Sequence, residues 1–258
     1  MGEHIGSNGT RTWYDVRGEG EPLVLLHGGF SDSREFTGNL DALNEHFRVF
    51  RFDRRGHGRT ADAPGPITHQ RMTEDTIAFL EQVVREPVRL VGYSDGGFIA
   101  LLVALHRPDL VHRLVLISSA FATEGFLVQP DPDGQLPQEL IDSYGEVSPD
   151  GAAHFPVVFR KLTDPANPDP SRTADELRGV GCPTLVVAAD DDLVHPEHTL
   201  ALYRGLPDAQ LAVIPGASHA ILQDQPELTT AVVTRFLTTD PAPTLLPIRR
   251  APAQAVAP

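Results

Sequence analysis

Short apolar runs alternate along this chain with longer segments of helical period, and that alternation is the strongest constraint on its fold. Leu23 to Leu26, Phe47 to Asp53, Val88 to Gly92, Leu114 to Ile117, Thr184 to Ala189 and Leu211 to Ile214 read as strands. A strand covered on both faces needs no polar side, so it reads as a run rather than as an alternation. Between these runs lie segments of helical pattern, about Ser33 to Asn44, Thr68 to Arg85, Phe98 to His106 and Pro226 to Leu237. Strand and helix in turn predict an α/β fold, a mostly parallel central sheet with helices on both faces.

One segment breaks the rhythm. Residues 121–178 are rich in Pro, Gly and Asp, with helical patches at Pro137 to Tyr144 and Phe155 to Leu162. That is too long for a plain connection, so a small lid inserted into one core (1–120 and 179–239) is expected. From 240 to 258 the chain is rich in Pro and Ala and has no period. Such a tail buries too little to order itself and is expected to be flexible.

Charge and cysteine usage narrow the function. A net charge of -14 argues against nucleic acid and against an anionic membrane surface, both of which ask for Lys and Arg. The single cysteine, Cys182, permits no intrachain disulfide, and its position before a strand suits a small core residue. No metal-type cysteine spacing is present, so no metal is expected. Met1 to Thr10 is polar and lacks the pattern of a signal peptide, and no apolar run reaches the length of a membrane span. The cytoplasm and a small-molecule substrate are the expectations.

The chemistry concentrates at Gly92-Tyr93-Ser94-Asp95-Gly96. This G-x-S-x-G stands between a β-branched strand and an apolar helix, where a sharp turn would hold a serine above the strand ends. A hydroxyl is a weak nucleophile near neutral pH and needs a base. Of 11 histidines, His219 is the candidate, because it follows the last strand and a Pro-Gly turn on the side of the sheet facing Ser94. His195 and His198 read as surface residues, and His57 as structural. The histidine needs a carboxylate to fix its tautomer. Asp190, Asp191 and Asp192 all follow the strand Thr184 to Ala189, and spacing does not choose among them.

These motifs resemble those of the α/β-hydrolase superfamily over about Thr12 to Thr238: His27-Gly28-Gly29, Asp53-Arg54-Arg55-Gly56-His57-Gly58, Gly92-Tyr93-Ser94-Asp95-Gly96-Gly97 and Gly216-Ala217-Ser218-His219. The resemblance implies a Ser94–His219–Asp192 triad, the acid standing three positions after a small residue that here is Ala189 rather than Gly. It also implies an oxyanion hole built from the backbone N–H groups of Gly29, or its neighbour Phe30, and Asp95. Asp53 to Gly58 is expected to be architectural. The Ser-Asp-Gly-Gly form is similar to that of biphenyl-hydrolase-like proteins, in which the acid pairs with a substrate ammonium. For Asp95 the alternative is an acid placed favourably at a helix N-terminus. Phe30, Tyr144, Phe155 and Phe159 are candidates for lining the pocket, the lid aromatics equally for the lid's own core. The implied reaction is acyl transfer to water from an ester, lactone or thioester, with no cofactor. A cyclase or acyltransferase, a carbon–carbon bond hydrolase and a non-catalytic binding protein are the competing readings.

Overall fold

A computed structural model describes residues 2–240 and 244–246. The expected flexible tail, 240–258, therefore lies almost wholly outside the described residues.

The sheet has eight strands: β1 (Glu3–Ser7), β2 (Thr10–Arg17), β3 (Pro22–Leu26), β4 (Arg48–Phe52), β5 (Val88–Tyr93), β6 (Val111–Ile117), β7 (Thr184–Asp191) and β8 (Ala209–Ser218). Their order is β1-β2-β4-β3-β5-β6-β7-β8. β1, β2 and β4 pair antiparallel, and every other pair is parallel. The helices are α1 (His69–Phe79), α2 (Asp95–His106), α3 (Gln138–Val147), α4 (Phe155–Leu162), α5 (Pro196–Gly205), α6 (Ile221–Asp224) and α7 (Pro226–Thr238).

β3 shows why the strands read as runs. Val24 and Leu26 join the core on one face of the sheet with Phe52, Phe79, Leu90 and Ile99. Leu23 and Leu25 join the opposite core with Val91, Val115, Val187, Val233 and Phe236. Both faces are dry, so alternate side chains need not alternate in polarity. α2 is buried along almost its whole length, as its continuous apolar sequence requires.

Two expectations fail locally. The single helix expected over Ser33 to Asn44 is two short 3-10 turns, Ser33–Phe36 and Leu40–Glu45. Gly38 between them has φ +83, a left-handed conformation that ends a helix. Asp32 and Asn39 cap the two turns with their side chains. The β1–β2 hairpin was not anticipated either. In β2 buried Thr10 and Thr12 and the ion-paired Asp15 take inward places that apolar residues usually hold.

The segment expected to form a lid lies between β6 and β7 and carries α3 and α4. Tyr144, Phe155, Val158 and Phe159 sink into the main core, so the lid is packed against the body rather than hung over it. Polar ties hold its rim. Lys161 Nζ lies 2.7 Å and His154 Nε2 2.9 Å from Asp62 Oδ2. Arg34 donates to the Ser143 carbonyl at 2.6 Å and to Glu146 at 2.5 Å.

Candidate active site

The turn from β5 to α2 puts Ser94 at φ 53, ψ -120, a strained conformation for a residue with a side chain. The two flanking glycines are dictated by space. A Cβ on Gly92 would stand 2.3 Å from the Gly96 carbonyl oxygen, and one on Gly96 would stand 2.2 Å from that of Leu26. Because the chain crosses itself this closely, the serine is lifted above the strand ends at the N-terminus of α2.

Ser94 Oγ lies 2.9 Å from His219 Nε2. His219 Nδ1 lies 2.7 Å from Asp192 Oδ1. With Nδ1 donating to the carboxylate, Nε2 is left bare to accept the serine proton. The Asp192 side chain is only 3% exposed and also accepts the backbone N–H groups of Ala189 (3.1 Å) and Val194 (3.3 Å). Burial pushes its carboxyl up, but hydrogen bonds from His219, Ser118 and Ala189 outweigh this and hold it below the usual range. The other two acids turn elsewhere: Asp190 accepts the Ala217 N–H at 3.1 Å, and Asp191 is exposed and paired in register with Ser218. Tyr93, which the sequence reading passed over, donates from its hydroxyl to the His219 carbonyl at 2.6 Å and anchors the histidine's backbone.

Across from the elbow runs the loop after β3. Gly29 faces Asp95, whose Cβ would stand 3.5 Å from a Cβ added there. Phe30 follows at φ 61. The N–H before them, that of Gly28, is taken by Glu35 Oε2 at 2.7 Å. Burial pushes the Glu35 carboxyl up to about 7, against the opposing pull of the Gly28 N–H, Ser31 and Arg54. Asp53 accepts the N–H groups of Ser33 (2.9 Å) and Arg59 (2.8 Å), and Arg55 pairs with Asp75.

Several candidates fall outside the expected roles. Both Asp95 oxygens are engaged, one by Arg54 and the other by His69 Nε2 at 2.7 Å. Burial opposes its ionisation, yet the Arg54 and His69 charges hold it well below the usual carboxylate range. The carboxylate is thus already paired within the protein, and it also stands at the N-terminus of α2. Tyr144 and Phe155 pack on each other, centroids 5.2 Å apart, and both are buried in the core. Phe159 does reach the site loop, its ring centroid 4.9 Å from that of Phe30 with the planes tilted by 33°. His198, expected at the surface, is half-buried: its ring stacks 4.0 Å from Phe121, and its Nε2 accepts the Phe121 N–H. His57 is fully enclosed, as expected of a structural residue, and burial pulls it down to about 4. His69 had no local sequence signal, because its partner stands 26 residues away, whereas Arg54, 41 residues from the same partner, lies in the segment expected to be architectural.

Among the described residues, no group of three or more His, Cys, Asp or Glu side chains could hold a metal ion. Nor is any helix among them long and apolar enough to cross a membrane.

Residues 23–232 match the model of the alpha/beta hydrolase family. A pimeloyl-acyl-carrier-protein methyl ester esterase of Nitrosospira multiformis is 27% identical over 256 residues, 85% of this chain and 95% of that protein. A protein of Agrobacterium fabrum, provisionally named as the carbamate hydrolase RutD, is 29% identical over 84% of this chain and 93% of its own length. Among solved structures, the enol-lactonase of Burkholderia xenovorans superposes with a TM-score of 0.73 at 24% identity, covering 92% of this chain and 100% of that one. A meta-cleavage product hydrolase of Pseudomonas fluorescens reaches 0.76 at 22% identity, covering 92% and 97%. At these identities the structural matches speak for the fold.

Proposed function

The chain belongs to the α/β-hydrolase family, and from that premise we propose that it is a serine hydrolase cleaving a small-molecule carboxylic ester, lactone or thioester. The observation that carries the reading is the unbroken line of hydrogen bonds from Ser94 through His219 to Asp192.

In this mechanism His219 Nε2 takes the Ser94 proton as Oγ attacks the carbonyl carbon. Asp192 stabilises the imidazolium that results, which it can do because it stays ionised. The negative oxygen of the tetrahedral intermediate accepts from the Gly29 and Asp95 N–H groups, the latter at the N-terminus of α2. The intermediate collapses, and the leaving oxygen or sulfur takes the proton from His219. Water then gives a proton to His219, attacks the acyl-enzyme and releases the acid, and the proton returns to Ser94. No cofactor enters the cycle. A methyl ester esterase among the similar proteins supports a carbonyl substrate of this class. The net charge of -14 suits a small diffusible substrate rather than a polyanion, and the proposed location is the cytoplasm.

The test is a panel of p-nitrophenyl esters of increasing acyl length, assayed with wild type and Ser94→Ala. Turnover by wild type that falls at least about 10³-fold in the variant is expected. Equal rates in the two proteins, or no ester turned over, would remove the reading.

A further inference from the structure

Arg54 stands in the turn after β4, and its side chain is 1% exposed. Its Nη2 donates to the carbonyl oxygens of His27 at 2.7 Å and Gly28 at 2.8 Å. Its Nη1 pairs with Asp95 Oδ2 and lies 3.5 Å from Met72 Sδ. Its contacts thus reach both segments from which the oxyanion donors are drawn. Those segments follow different strands, β3 and β5, and among the described residues no hydrogen bond joins them directly.

The covalent geometry gives the contact its consequence. In a trans peptide the C=O and N–H point in opposite directions across one rigid plane. The Gly28 carbonyl and the Gly29 N–H belong to the same plane. A guanidinium fixed on the carbonyl therefore fixes the direction of the N–H. A charged donor on the carbonyl also polarises the amide and makes its N–H a stronger donor. Glu35 holds the preceding N–H, that of Gly28, so the loop is pinned on both sides. On the second segment, the Asp95 carboxylate locks the residue whose backbone N–H is the other donor. His69 holds its second oxygen.

We propose that Arg54 is a positioning residue for the oxyanion hole: one guanidinium sets both donors in register and polarises the Gly29 amide. The role rests on the serine-hydrolase reading above. It accounts for the acid at position 95 without a substrate contact, since a buried guanidinium requires a counter-charge. It also accounts for arginine rather than lysine, because three acceptors around one head group call for a planar fork of donors.

The test uses the full chain as Arg54→Met, Arg54→Lys and the double variant Arg54→Met/Asp95→Leu. The double variant removes both charges, so that no lone charge is left buried to unfold the protein. Active serines are counted by fluorophosphonate titration, and kcat is expressed per titrated site on a small neutral p-nitrophenyl ester. Loss of a donor felt only in the transition state lowers kcat and spares KM. Arg54→Met and the double variant are expected to lose kcat by about 10²-fold, with KM within about twofold and the pH profile unchanged in shape. Arg54→Lys is expected to recover part of the loss. A double variant with kcat per site within about threefold of wild type, whatever its melting temperature, would overturn the proposal and leave Arg54 a structural strut. A wild type without ester turnover would remove the hydrolase reading, and the positioning role with it.

Discussion

At the scale of single residues, three neighbouring acids have three different fates. Asp192 meets His219 at 2.7 Å, while Asp190 serves the Ala217 N–H and Asp191 faces solvent. Replacing Asp192 by Asn should lower kcat by roughly 10⁴-fold, since an amide can hold the imidazole in the wrong tautomer. Asp190→Asn should keep kcat within about threefold, because its contact is to backbone away from the reacting atoms. Steady-state rates on one ester separate the two, and the reverse order would reassign the triad acid. Spacing alone left the three acids equivalent. The family pattern pointed to Asp192 by counting from Ala189. For Asp95 the sequence left two readings open, because its partners, Arg54 and His69, come from other segments and no local pattern announces a tertiary ion pair.

At the scale of elements, the β5–α2 turn and the β3 loop carry the candidate site. Gly96→Ala would place a Cβ 2.2 Å from the Leu26 carbonyl oxygen, a backbone atom that no rotamer change can move aside. The variant should lose both folded yield and serine labelling, as judged by circular dichroism and probe titration. Behind the loop, Glu35 gives a pH signature. Its folded pKa is raised from 4.5 to about 7, so the folded protein holds that proton more tightly than the unfolded chain. Stability is therefore highest below pH 4.5 for this group and falls as pH rises to about 7, by about 3 kcal/mol in all. Glu35→Gln keeps an acceptor for the Gly28 N–H and should remove that decline, raising the melting temperature at pH 8 relative to wild type but not at pH 4. Calorimetry at the two pH values checks it. The parallel strands and most helices were legible because their burial dictates composition. The 3-10 turns and the β1–β2 hairpin were not, since Gly38 and the polar inward positions of β2 contradict the simple periods.

At the scale of the whole molecule, the segment inserted between β6 and β7 is packed and pinned onto the parallel core. That 121–178 is more than a plain connection was legible from its length, but its attachment was not, because Asp62 meets Lys161 across 99 residues of chain. Burial pushes the Asp62 carboxyl up, but Lys161 and His154 outweigh it and hold it below its ordinary value of 3.8. A depressed acid stabilises the fold above its unfolded pKa and loses that contribution as pH falls through the folded one. Asp62→Asn should cost about 2 kcal/mol at pH 7, about 5 °C in melting temperature, and the difference should shrink toward pH 3. Acid-range melting curves of the pair would show it.

The assignment of Ser94 as the acyl-bearing nucleophile is tested most directly by rapid quench and intact-mass analysis of the protein mixed with a p-nitrophenyl ester. A burst of one p-nitrophenol per protein is expected, with a mass gain of one acyl group that peptide mapping places on Ser94 and that decays at the rate of turnover. An acyl group on another residue, or turnover with no covalent intermediate and no effect of Ser94→Ala, would contradict it.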